Sequence, residues 1–537
     1  MPLTQLRTQI ASKSPVIVPT SINYRSNGFA FFVPFVALAA YALTSYPMMY
    51  PGFDVWIHLT AVEFNSRRDA IWYDLLRFLF TALDLSGPFE QARLVHVLQV
   101  TISGVLVFLG ARWILKVADR EQSTSPALLS WLAWFSVVIW FVMHGTVSAP
   151  INNPTPVWYA WLLWYSVNYQ VALPMFVFAV GALLYGFAAD NQMLWRQTRL
   201  PYFALGVVAI VGVAAFHAAE IPYVAFGILL ITILWFRWSW RWQYLAALVF
   251  LTFSVYIGVQ FSYRLPEGFV LFNRGGWSAL VDGIQNRGVH MTEHGYSRGN
   301  ASWNYWYWVT AAMAVLLLLT TISKTAFANR LNWRVPCFVL LSATLAAMIQ
   351  FRETAGLIAM ITGLGIAWRF TFSSFLFLAP ALSLLALGMT WPALQKVRWP
   401  IILALGLIVF VLLASRLSET NLVSYRYARS LALSLSAEQM RFGFTNEQAS
   451  WLDQVHERLE ANPPKDMICT DMFTAYYLFF IKDFHQVVLP DKLSQFVNRQ
   501  HEQPKCPFPR DGGDIKLLGV GPIPWNLDIN SPPWWKQ

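Results

Sequence analysis

Charge is what this chain has least of. Only 12 % of its 537 residues are Asp, Glu, Lys or Arg, about half of the roughly 25 % that a soluble domain carries. Too little polar material remains to coat several water-exposed domains, so the length does not argue for a string of soluble units. Cysteine is also scarce, with three in the chain, which excludes a disulfide scaffold. Cys337 lies in an apolar run and reads as packing; Cys469 and Cys506 fall near the C-terminus and would pair only in an oxidising compartment. There is no Gly-rich phosphate loop, no dinucleotide fingerprint, no nucleophile elbow and no His-Glu-x-x-His zinc motif. No internal repeat, low-complexity tract or cleavable leader is evident, so the first apolar run is expected to remain as a helix.

What is abundant is apolar and aromatic: 56 % hydrophobic residues, 26 Trp and 21 Tyr. Spanning helices need roughly 20 apolar residues each, with aromatic belts at both interfaces. The runs predict an all-α polytopic membrane protein of about 11–13 transmembrane helices, with spans at 28–48, 95–117, 127–147, 169–188, 202–217, 220–236, 244–262, 304–322, 334–350, 354–369, 371–390 and 399–416. The pairs around His217 and Arg369 are short enough that either is replaceable by a hairpin or a re-entrant helix, and 158–165 is a candidate further dip into the membrane. Residues 73–83 predict an amphipathic helix along the interface, with Arg77 and Asp84 on its polar side.

The formal charge of +10 points to topology rather than to nucleic acid. Arg7, Lys13, Arg25, Arg112, Lys116, Arg120, Arg196, Arg199, Arg237, Arg241, Lys324, Arg330 and Arg334 fall on one side if the spans alternate, and that side is cytoplasmic. Loops 49–94, 148–168 and 263–303 then face outward. Twelve crossings would put Lys396 and Arg398 outside and the tail inside; one re-entrant segment reverses both, and the basic residues favour that version. The domain organisation expected is a transmembrane unit over 1–416 and a small α/β unit over 417–537 on the outer side. In the latter, 436–460 has helical periodicity, 466–471 and 487–490 read as strands, and 474–480 as a helix.

Chemistry-bearing residues gather in the outward segments. Asp54 and His58 are four apart at the mouth of the first span and would share a helix face. A carboxylate beside an imidazole suits a general base or a cation ligand; an ordinary helix N-cap fits the same residues. His217 and Glu220 interrupt the middle spans, where ionisable groups are costly and face cavities, or complete a turn. Arg352 opens a late span. Its guanidinium suits a phosphate, and a pair with Glu353 or snorkelling suits it as well. Loop 263–303 carries Arg274, His290, Glu293, His294 and Arg298 among aromatics, a pattern for acceptor binding or gating, or for a structured loop alone.

The Asp54-Val-Trp-Ile-His58-Leu59 loop, set after the first span and before an interfacial helix, resembles the first outer loop of GT-C glycosyltransferases, closest to the arabinofuranosyltransferase-like and mannosyltransferase-like branches. His217 in a broken middle span, Arg352 at the start of a late span and an α/β tail with a strand ending at Asp471 are similar to the same family. The resemblance implies Asp54 as catalytic base with His58 beside it, and Arg352, His217 and Glu220 holding the donor phosphate. Glu63, His290, His294 and Arg298 follow as acceptor or loop candidates. It also implies a polyprenyl-phosphate sugar as donor and a glycan, lipid or protein hydroxyl as acceptor, in a bacterial inner membrane with the site facing the periplasm. The chain departs from the family in having a single Asp54 where many members have two adjacent acids. No metal ligand set is therefore assigned, and no cofactor beyond a divalent cation that one carboxylate would accept. Two rivals remain: an O-antigen polymerase or ligase acting through loop 263–303, and a transporter or flippase of lipid-linked sugars.

Overall fold

The computed structural model describes residues 24–45, 70–85, 88–120, 124–145, 167–188, 198–216, 220–237, 241–262, 267–286, 290–292, 295–297, 305–323, 330–349, 351–362, 370 and 372–390, and in the tail 446–461, 463, 475, 478–479, 482 and 484–488. It is mostly helical.

Helices occupy most of the apolar stretches. In chain order they are α1 (Tyr24–Ser45), α2 (Ala70–Ala82), α3 (Pro88–Ala118), α4 (Pro126–Gly145), α5 (Val167–Phe187), α6 (Leu200–Phe216), α7 (Ile221–Trp235) and α8 (Arg241–Ser262). Then come α9 (Glu267–Asn286), a hairpin of β1 (His290–Thr292) and β2 (Gly295–Ser297), α10 (Tyr305–Ile322), α11 (Arg334–Ser342), α12 (Thr344–Met348), α13 (Arg352–Thr362) and α14 (Ala379–Thr390). The stretch Arg93–Ala118, 26 residues, is long and apolar enough to cross a membrane unaided. The pair Arg334–Met348 and Glu353–Met360 has that character only jointly and is bent by 89°. Several shorter helices are comparably apolar. Predicted stretch 399–416 lies outside the described residues, as does 158–165.

Small residues let the central helices approach closely. A Cβ on Gly181 of α5 would meet the Gly110 carbonyl oxygen of α3 at 2.6 Å, so the two backbones touch and only glycine fits. Packing continues from α3 to α4, α1 and α11, from α5 to α6 and α7, from α6 to α8 and from α10 to α11 and α14. The outward faces are apolar too: Phe32, Val208, Ile233, Leu248 and Leu316 are each more than half exposed.

The helix ends sort into two groups. At one end the start of α11 is tied to the end of α3. Asp119 and Leu331 form an antiparallel bridge, the Asn332 amide donates to the Ala118 carbonyl at 2.9 Å, and the Thr124 amide donates to Asp119 Oδ2 at 2.8 Å. Arg330 donates to the Met389 carbonyl of α14 at 3.3 Å, and Arg199, before α6, to the Tyr185 carbonyl of α5 at 2.9 Å. Arg112, Lys116, Arg120, Arg237, Arg241 and Arg334 lie on the same helix ends, so this is the basic end, as the charge pattern predicts. The opposite, far end gathers the last turns of α1, α6 and α8 and the starts of α3 and α7.

Two segments depart from the simplest expectation. The helices over 334–348 and 353–360 are bent against each other by 89°. The helix ends after Met348, the Thr354 hydroxyl donates to the Met348 carbonyl, and α13 turns away over its described residues. Phe370 then packs edge-on against Tyr223 at the far end, 4.6 Å between centroids, and α14 runs back to the basic end at Met389. The irregular link 372–378 is buried, and the Ser342 hydroxyl accepts its Phe375 amide at 2.8 Å, satisfying a donor that the broken helix leaves over. Segment 263–303, expected as a loop, carries α9, two helical pieces broken at Gly275 and Gly276, and the hairpin. In the tail only the helix over Asn446–Ala461 is described at length, within the expected 436–460 save its last residue, and residues 436–445 lie outside the described residues; no sheet is described there. Leu452, Val455, Leu459, Leu478, Phe479 and Val487 are buried, and Lys482 pairs with Asp453 at 2.6 Å. The two strands expected at 466–471 and 487–490 fall mostly outside the described residues.

Candidate functional site at the far end

Helix α2 behaves as its pattern predicts. Trp72, Tyr73, Leu76 and Phe80 are buried, and Asp74 and Arg77 face outward as a 3.0 Å ion pair. Asp84 ends the helix at φ 52°, with the Leu85 amide reaching back to the Phe80 carbonyl at 2.9 Å, so it serves as a left-handed cap more than as a polar-face marker. Trp72 stands edge-on to Phe216 at 5.7 Å. The surface helix therefore sits at the last turn of α6, beside the break that carries Glu220. Glu220 is fully buried directly before α7, with Pro222 in the first turn where a missing amide costs nothing. His217, between Phe216 and Glu220, lies outside the described residues. So do Asp54, His58 and Glu63, which are bounded by α1 and α2.

The second half of this end is built by α9, the hairpin and α13. Arg274 is exposed and precedes a break at Gly275 and Gly276. Gly276 has φ 65° and ψ −151°, a conformation essentially reserved for glycine. The break swings Trp277 onto α13, where a Cβ on Gly356 would collide with the indole. α13 also packs against β2, and α9 against β1. In the hairpin His290 pairs with Ser297 and Thr292 with Gly295, across a two-residue link. His290 therefore stands on a strand and not on a helix. His294 and Arg298 lie outside the described residues, and for His290 and Arg352 only the backbone is described. Arg352 is the first residue of α13, so its backbone opens the helix that packs on α9 and the hairpin.

Sequence reasoning separated Arg352 from loop 263–303, and the fold makes their elements neighbours. It also passed over His96, Gln99 and Ser103, a buried polar stripe in the far half of α3. Their i, i+3, i+7 spacing within an apolar helix was the available signal. His96 bonds the backbone of Ala42 in the last turn of α1, just ahead of the segment with Asp54. Among the described residues no group of three or more His, Cys, Asp or Glu is placed to hold a metal. Compared with family models, curated proteins and solved structures, the chain matches none.

Proposed function

We propose that the chain is a polytopic inner-membrane glycosyltransferase of GT-C type, moving a sugar from a polyprenyl-phosphate donor to an acceptor hydroxyl on the outer face. One observation carries the reading: every segment bearing a candidate residue attaches to the far end of the bundle, opposite the basic end. α5, with 21 residues, and α8, with 22, reach about 30 Å at 1.5 Å per residue, the thickness of a bilayer core. The apolar outward faces of α6, α7 and α8, at Val208, Ile233 and Leu248, suit lipid and not water. The far end is then periplasmic. With α13 re-entrant and α14 ending at the basic end, stretch 399–416 leads outward and the tail lies outside.

In this reading the donor's lipid stays among the helices and its phosphate rests at the start of α13. Arg352 holds the phosphate and stabilises it as it leaves, a term that commonly dominates such catalysis. Glu220 and His217 border the same end. Asp54 takes the proton of the acceptor hydroxyl, with His58 orienting it. The oxygen attacks the sugar carbon as its bond to phosphate breaks, so direct displacement inverts that carbon.

The contact of α13 with α9 and β2 favours one rival, a polymerase or ligase in which Arg274, His290 and Arg298 act on the same kind of lipid. One experiment divides the two. Membranes containing the full chain are given short-chain polyprenyl-phosphate arabinose or mannose and an oligosaccharide acceptor, and transfer is followed for wild type and for Asp54→Asn. Loss of transfer by about a hundredfold or more is expected for a carboxylate base. Full activity in Asp54→Asn with loss in His290→Ala overturns the proposal in favour of the rival.

A further inference from the structure

The basic end carries more than the loop charges that topology requires. Tyr185, at the end of α5, is buried with two cations over its ring: the Arg199 guanidinium carbon lies 3.6 Å from the ring centroid and Lys116 Nζ lies 5.2 Å from it. These charges are no farther apart than about one Debye length, about 10 Å. Residues that only set orientation sit in water, whereas Arg199 is 8 % exposed. Tyr202 stands edge-on to Tyr185 at 4.9 Å and to Trp113 at 5.6 Å, bringing a second phenol to the cluster. Arg112 precedes Lys116 by one helical turn. Asp119, one turn after Lys116, is buried and takes the Thr124 amide. Away from the cluster, α6 turns an apolar face outward through Leu205 and Val208.

Two neighbouring cations on one ring, an aromatic hydroxyl and an apolar strip leading toward the middle of the bundle match one chemistry, a phosphodiester with an acyl chain. We propose that Lys116, Tyr185, Arg199 and Tyr202 form a binding site for an anionic phospholipid of the cytoplasmic leaflet. The headgroup phosphate lies at Lys116 and Tyr202, beside the stacked Arg199, and one acyl chain lies along Leu205 and Val208. This rests on the membrane reading above and is independent of sugar transfer. A juxtamembrane cation contributes about 1 kcal/mol toward anionic lipid, which is about fivefold in retention.

The full chain, purified in detergent, is mixed with phosphatidylglycerol or phosphatidylcholine and examined by native mass spectrometry. Phosphatidylglycerol is expected to stay bound under activation that strips phosphatidylcholine. Lys116→Gln, an exposed position that does not endanger folding, should cut its retention about fivefold, and adding Arg112→Gln should cut it further. Arg241→Gln, an exposed cation of the same end outside the cluster, should leave it unchanged. Excess inorganic phosphate should not displace the lipid; displacement marks a simple phosphate site and overturns the lipid assignment. Equal retention of the two lipids, or equal loss in Lys116→Gln and Arg241→Gln, overturns the site while leaving the membrane reading intact. A chain that alkaline carbonate washes from membranes overturns both.

Discussion

The two ends of this bundle are made differently. At the basic end the chain ties itself together through its backbone: α3 to the start of α11 through Asp119, Leu331 and Asn332, and α14 to Arg330. At the far end the helices are interrupted. α6 gives way to α7 at Glu220, α9 breaks at Gly276, and α12 turns into α13. An end that closes its own backbone hydrogen bonds is held firmly, and what it presents to a ligand is side-chain charge. An end made of breaks leaves polar groups and backbone close to one another, and irregular backbone inside an apolar body persists where it lines something. In the proposed function, stability rests with one end and sugar transfer with the other.

The strongest way to break that division is Asp54→Asn. Transfer should fall about a hundred- to ten-thousandfold with the melting temperature in detergent unchanged; an equal loss of stability would make Asp54 a structural cap. Next is Arg352→Lys, which keeps the charge and removes the fixed fork of donors. An increase of about tenfold or more in the donor KM is expected, read from initial rates, and an unchanged KM would detach α13 from the phosphate. At the opposite end Asp119→Ala leaves the buried Thr124 amide without this acceptor. It should cost about 1–3 kcal/mol of stability, seen as a lower melting temperature, with KM unaltered. Gly276→Ala forces a side chain into a glycine conformation at a cost of about 1–3 kcal/mol, and should loosen Trp277 from Gly356. Quenching of tryptophan fluorescence should rise and turnover fall more than stability does. Arg77→Ala is the smallest case. Its pair with Asp74 is solvent-exposed, so stability should move by no more than about 0.5 kcal/mol.

Much of this arrangement was legible before any coordinates. The apolar runs located α1 and α3 to α8 within a few residues because each run outlasts its neighbours in length and hydropathy. The alternation of Arg and Lys identified the basic end. The amphipathic period of 73–83 found α2, including its buried Trp72 face. Other features were hidden. Between Val335 and Trp368 charge interrupts the run only at Arg352 and Glu353, so hydropathy could not tell a straight path from the 89° bend. Segment 267–286 contains Gly275, Gly276 and Gly283 and polar residues on several sides, which reads as loop; its helices form because Trp277 and Leu280 find packing. Loop 263–303 read as an acceptor-binding, gating or merely structured loop, and pairing of Thr292 with Gly295 makes part of it a hairpin.

The sequence by itself determined which stretches are apolar helices, which of their ends are basic, and which few ionisable residues stand at the other ends, because hydropathy and charge are local properties of the chain. Only the tertiary structure decided that α13 bends away from α11 and α12, that it meets α9 and the hairpin, and that Arg199 and Lys116 share one tyrosine. Those outcomes depend on which helices pack together, and packing joins residues that no local pattern connects.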